Sequence, residues 1–234
     1  MSQPNVNAVS PASSREKVKT LVTLAMLSAI SYVVMCLSKL IPPVIGFLQL
    51  DLKDTVICIG GFVFGPLAAA VISLLVAIVE FFTVSHTGII GCIMNMLATA
   101  AFCCTASYIY QKKHTRGGAV LGLALGTVSL TATMLLWNYL ITPLYMPGFS
   151  REQIAAMLPT LFLPFNLLKG GLNMALALVI YKPVVGALRK LHMIPESRGA
   201  AVELSRGRNA GFMLFAFALL ATLVTVVLVL LGVI

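Results

Sequence analysis

The chain has 234 residues, of which 59% are hydrophobic and only 10% charged, and its mean hydropathy is +1.01. A soluble globular domain carries about 25% charged residues, so this composition excludes one and defines a polytopic membrane protein. The formal net charge of +9 lies in short basic clusters between apolar runs, without the aromatic and basic platform of nucleic-acid binders. It reads as topology information, and no nucleic-acid partner is expected.

Apolar runs of about 20 residues, bounded by Pro, Gly or charge, predict the course of the chain. Residues 1–17 read as a disordered cytoplasmic tail. A first helix is expected over 18–40, ending at Pro42 and Pro43; it is too long for a signal-peptide core and stays in the membrane. A loop carrying "LQLDLKD" leads to a short helix over 55–64, which Gly65 and Pro66 break before a third over 67–84. Ten residues cannot span a bilayer alone, so the second helix must be tilted, packed in protein or continued by its flanks. Helices over 88–110, 119–141 and 159–185 follow, then a basic cytoplasmic linker over 186–209 and a seventh apolar run over 210–234. The fold class is therefore all-α: a polytopic membrane helix bundle, with six helices over 18–185 and one additional C-terminal transmembrane helix over 210–234.

Short cytoplasmic loops retain Lys and Arg. Arg15, Lys17 and Lys19, then Lys112, Lys113 and Arg116, then the stretch with Lys182, Arg189, Lys190, Arg198, Arg206 and Arg208 all fall on one side if the short second segment counts as a crossing. The N-terminus is then cytoplasmic, and a multi-pass protein of the cell membrane is expected.

Several polar residues need an explanation. A charged side chain at the bilayer centre costs about 2.5–3.5 kcal/mol on insertion scales. Asn166, Lys169, Gly170 and Asn173 nevertheless follow i, i+3, i+4, i+7 spacing and line one face of the sixth helix. For Asn173 and the glycines, bonding and close packing between helices is the plain alternative to a binding role; Lys169 is too far from either end to snorkel easily. Trp137, Asn138 and Tyr139 lie in the outer part of the fifth helix, where Trp and Tyr are also ordinary interface residues. Asn138, Asn166 and Asn173 offer donors and acceptors and Lys169 only donors, a set that suits a planar ligand edge with alternating carbonyl and N–H groups.

In "LQLDLKDT", Asp51, Lys53 and Asp54 can pair with one another on a solvated face, the expectation held for Lys53. Thr87, Gly88 and Asn95 mark the top of the fourth helix, with Gly88 as a boundary residue and Thr87 a possible cap. Glu80 is either a charge reaching for water or an acceptor in a pocket. The cysteines Cys36, Cys58, Cys92, Cys103 and Cys104 sit in apolar runs without a C-x-x-C pair, so no disulfide framework or zinc site is expected. There is no G-x-x-x-x-G-K-[ST] loop, H-E-x-x-H or G-x-S-x-G, and an enzyme is disfavoured.

Taken together, "LQLDLKDT", "GGFVFGPLAAAVISLL", "GIIGCIMN", "WNYLITPLY" and "PFNLLKGGLN" resemble, over residues 21–181, the riboflavin-specific substrate-binding subunits (S components) of energy-coupling factor transporters. The most specific part is Asn138 combined with Asn166-x-x-Lys169-Gly170. The resemblance implies a six-helix bundle that captures riboflavin from outside and works with a coupling transmembrane subunit and two cytoplasmic ATPases. It implies that Asn138, Asn166 and Lys169 hydrogen-bond the pyrimidine-like edge of the flavin and that the loop bearing Asp51 helps cover the pocket. Trp137 and Tyr145 would face flavin carbons, with Thr87, Gly88, Asn95 and Asn173 completing the substrate-binding set. Ala25-x-x-x-Ala29 matches the family's contact with the coupling subunit. Riboflavin is the cargo; no cofactor and no metal are expected. The rival readings are an S component for another vitamin, such as thiamine or pantothenate, and a self-sufficient secondary transporter with Lys169 and Glu80 as relays. A membrane enzyme acting on lipid lacks a paired acidic motif.

Overall fold

The computed structural model describes residues 11–46, 48–84, 88–145, 148–194 and 206–233. Among them the regular structure is helical: α1 (Pro11–Ser38), α2 (Lys53–Phe64), α3 (Pro66–Thr83), α4 (Gly88–Lys113), α5 (Arg116–Leu140), α6 (Thr142–Tyr145), α7 (Arg151–Met157), α8 (Leu163–Lys190) and α9 (Arg206–Leu230). The protein is thus an all-α membrane bundle, and six of its helical segments are long and apolar enough to cross a bilayer.

At the basic end the helices extend beyond the apolar runs. α1 begins at Pro11 rather than at 18, α8 runs to Lys190 rather than 185, and α9 starts at Arg206 rather than 210. Hydropathy marks where a helix meets the bilayer, whereas Arg, Lys and Glu are good helix formers that carry it on into water. Residues 1–10 lie outside the described residues. The stretch expected as a loop over 142–158 holds α6 and α7, and Ser150 starts α7 with a reciprocal capping box to Gln153. Pro164 has no N–H to give Thr160, and the ladder between α7 and α8 widens over Leu158–Phe162 into a π turn, with Leu163 N–H bonding Leu158 O.

α2 is the centre of the bundle. Its twelve residues span roughly 18 Å, too short for a hydrocarbon core of about 30 Å. It is enclosed instead by α1, α3, α4 and α8, with every residue from Lys53 to Val63 buried. Gly65 (φ +103°) makes the reversal into α3, and Pro66 occupies the first turn of α3. Lys53 then faces Glu80 near the far end of α3, while Gly61 lies against Ala69 and Ser107.

α5 packs on α4 and α8. A Cβ on Gly122 would sit 2.6 Å from Ala106 O, and one on Gly126 would sit 2.7 Å from Phe102 O. Glycine therefore sets this crossing, as small residues do in membrane bundles.

The described members of the three basic clusters gather at one end. Lys19 Nζ donates to His192 O (3.1 Å), Tyr110 near the α4–α5 turn meets the hydroxyl of Tyr181 (3.1 Å), and Arg116 lies over the ring of Phe212 at the start of α9. The opposite end carries Lys39, Glu80 and the 39–52 loop. α9 lies mainly against α8, where Leu223 covers Gly171. Its Val227, with Leu220, Leu223 and Leu231, joins Phe165, Leu168 and Leu172 of α8 and Val44 and Leu50 of the loop in one apolar cluster.

Candidate functional site

Lys169 lies on α8 with only 7% of its surface exposed. Its Nζ is 3.9 Å from Asp54 Oδ2, inside ion-pair range but beyond hydrogen-bond length. Asp54 is fully buried in the first turn of α2, where the helix dipole favours a carboxylate. Its Oδ1 accepts from Thr99 Oγ1 of α4 at 2.7 Å, and its Oδ2 has no hydrogen-bond partner among the described residues.

A second charge group lies beside the first. Lys53 pairs with Asp51 and with Glu80 (3.5 Å), and Glu80 Oε1 also receives Lys39 Nζ at 3.0 Å and Asn95 Nδ2 at 3.1 Å. The expected solvated position of Lys53 is corrected here: it is 1% exposed. The loop turns into the bundle and brings Lys53 under Glu80, which resolves the two readings of Glu80 in favour of an internal acceptor. Across both groups three lysines face three carboxylates, and this neutrality offsets the cost of burying them. Burial pushes the Asp51 carboxyl up, but the charges of Lys53 and Lys169 outweigh it and hold the group below the ordinary carboxylate range.

The amides divide by function. Asn173 is saturated: Oδ1 accepts from Thr55 N (3.0 Å) and Thr55 Oγ1 (2.8 Å), while Nδ2 donates to Asp51 O (2.9 Å) and Lys169 O (3.0 Å). It ties α8 to the start of α2, the inter-helix role weighed for it above. Asn138 is buried at the end of α5, with Nδ2 on Met134 O (2.7 Å) and Oδ1 accepting from Thr142 Oγ1 (2.9 Å). Asn166 is also buried and turns Nδ2 back to Phe162 O (2.7 Å) in the π turn. Trp137 is half-buried on the main core, and its Nε1 has no hydrogen-bond partner among the described residues.

The remaining expected residues scatter more widely. Gly88 opens α4 with φ +63° and is exposed, as a boundary residue should be. Asn95 belongs to the Glu80 group. Thr87 and the Tyr145 side chain lie outside the described residues. Ala25 and Ala29 are exposed on α1, on a face shared with Leu21, Val22 and Val33; α9, lying against α8, leaves this face open.

Sequence reading missed Asp54, Thr55 and Thr99 as members of the site. A signal existed for Asp54. A lysine buried in an apolar helix requires a carboxylate, and of the seven acidic residues only Asp51, Asp54 and Glu80 lie between the first and fourth helices.

With this geometry in place, comparison with known proteins defines the class. The family described as "ECF transporter, substrate-specific component" matches residues 19–185, and the chain belongs to it. Members are transport proteins rather than enzymes, and this one is a multi-pass membrane protein. The chain is similar to the riboflavin transporter RibU of Staphylococcus aureus, 30% identical over 74% of this chain and 94% of the relative. It is also similar to the riboflavin transporter FmnP of Bacillus subtilis, 29% identical over 76% of this chain and 99% of that one. A solved S component of a bacterial ECF transporter superposes with a TM-score of 0.62 at 28% identity, covering 74% of this chain and 99% of that structure. α9 lies beyond the family match.

Proposed function

We propose that this chain is the riboflavin-capturing subunit of an ECF-type vitamin uptake system, which binds the vitamin from outside and relies on a coupling transmembrane subunit and two cytoplasmic ATPases for energy. The observation that carries the reading is the near-complete burial of Lys169 on α8, flanked by the buried amides of Asn166 and, on α5, Asn138. A flat ligand with carbonyl and N–H groups gives these polar groups partners that lipid cannot. The names of the two relatives support riboflavin as that ligand. In this reading Lys169 donates to a ring carbonyl, and Asn138 and Asn166 rotate from their own helices onto the ring edge. Trp137 and Tyr145 contact the ring, and the loop bearing Asp51 covers it. Gly88, Asn95 and Thr87 line the outer rim, and Asn173 holds α2 and α8 in register beneath. The exposed Ala25 and Ala29 face the coupling subunit. The basic end of the bundle, including the start of α1, is cytoplasmic.

Quenching of riboflavin fluorescence by the purified chain tests the reading. Tight binding that falls on the order of ten- to hundredfold in Lys169→Met, without loss of fold, is the expected result. Binding of thiamine or pantothenate in place of riboflavin would assign another vitamin. A self-sufficient secondary transporter is disfavoured because Glu80, one of its two candidate relays beside Lys169, is held by two lysines and Asn95; riboflavin accumulation in vesicles lacking any ATPase partner would favour it instead.

A further inference from the structure

Lys169 presents an unusual combination. Its side chain is buried and ion-paired, yet no hydrogen bond joins its ammonium to a described residue, and Asp54 Oδ2 stands 3.9 Å away. A direct hydrogen bond to Asp54 would consume one of the three ammonium donors. At the observed spacing Asp54 supplies the opposite charge and leaves the donors free.

Asp54 is in turn held still. Thr99 of α4 bonds its other oxygen at 2.7 Å, and the next residue, Thr55, is gripped by Asn173, one helical turn beyond Lys169 on α8. The contacts 54 to 169 and 55 to 173 are thus successive rungs between α2 and α8. Of the other nearby charges, Lys53 pairs with Asp51 and Glu80, and Glu80 also with Lys39; Asp51 feels the charge of Lys169 as well but makes no ion pair with it.

We infer that Asp54 is the positioning residue for Lys169: a fixed counter-ion that aims the ammonium while leaving its hydrogens for the ligand. This rests on the riboflavin reading above, since the ligand probe is riboflavin. Asp54 acts through Lys169, so its effect on binding must vanish when Lys169 is gone.

The test is riboflavin affinity, read by fluorescence quenching in detergent, for the parent chain, Asp54→Asn, Lys169→Met and the double variant. Asp54→Asn is expected to weaken binding on the order of tenfold or more in the parent. In the Lys169→Met background the same change should alter affinity by no more than about twofold, the range of independent sites. Either single change leaves a lone buried charge, so the double variant should also melt above Asp54→Asn. An equal loss of affinity in both backgrounds, or no loss in the parent, overturns the inference. Should Asp54→Asn not fold, Thr99→Val, which releases Asp54, must weaken binding in the parent and spare it in Lys169→Met; equal losses there overturn it as well. A parent chain that binds no riboflavin defeats the functional reading instead, whereas binding with additive losses defeats the role of Asp54 alone.

Discussion

Asn173 Oδ1 accepts both the backbone N–H of Thr55, at 3.0 Å, and the Thr55 hydroxyl, at 2.8 Å. A side chain from α8 thereby adds a second, shorter bond to the Thr55 N–H, which also donates to Leu52 O at 3.2 Å, and fastens the start of α2, a short helix enclosed in the bundle. Asn173→Leu is expected to destabilise the protein by about 2 kcal/mol or more, because the Thr55 N–H and Asp51 O lose a buried partner. Thermal unfolding in detergent measures it; an unchanged midpoint would mean that these groups find other partners.

Gly122 permits the closest approach of α4 and α5. The obstacle to a side chain there is the backbone oxygen of Ala106, 2.6 Å from the added Cβ, and backbone cannot rotate away as a side chain can. Gly122→Ala should cost about 1–3 kcal/mol by forcing the helices apart. Gly117→Ala, where a Cβ meets nothing within 4 Å, is the control and should be neutral or slightly stabilising through helix propensity. Equal midpoints for the two variants would refute the packing argument.

Removing α9 should matter little to the fold. Apart from Arg116 over Phe212, its contacts are apolar and lie mainly on α8, and lipid tails are as apolar as the leucines they would replace, so helix association gains no hydrophobic drive in the bilayer. A chain ending before Arg206 is expected to fold, with a stability loss of about 1 kcal/mol or less. Size-exclusion profiles and melting in lipid nanodiscs would reveal a larger dependence, which would give α9 a structural role in the core.

Ala25→Leu combined with Ala29→Leu enlarges an exposed face of α1 without touching the site. Riboflavin affinity should stay within about twofold of the parent, while recovery of the coupling subunit with the tagged chain should fall. Undiminished recovery would move the docking surface elsewhere on the bundle.

How much of this was legible in the sequence differs between fold and site. The apolar runs and the Gly65–Pro66 break predict the helices, because residues that must avoid water or lipid are marked locally. The ends of α1, α8 and α9 were not, since charged helix formers continue a helix after hydropathy has stopped reporting it. Lys169 stood out for the same local reason: an ammonium in an apolar helix is visible without knowing its neighbours. Lys53 was misplaced on a solvated face because its neighbours Asp51 and Asp54 looked sufficient, and nothing local to "LQLDLKDT" shows that Glu80 closes over it.

The sequence by itself determined the solvent of this protein, its helices, the gathering of its basic clusters on one side, and the presence of polar groups that an apolar surrounding could not satisfy. Only the tertiary structure decided which groups meet: Lys169 with Asp54, Lys53 with Glu80, Asn173 with Thr55. The reason is physical. Hydropathy and helix periodicity are properties of neighbouring residues, whereas the energy of a buried charge depends on distances of a few ångströms between helices far apart in the chain.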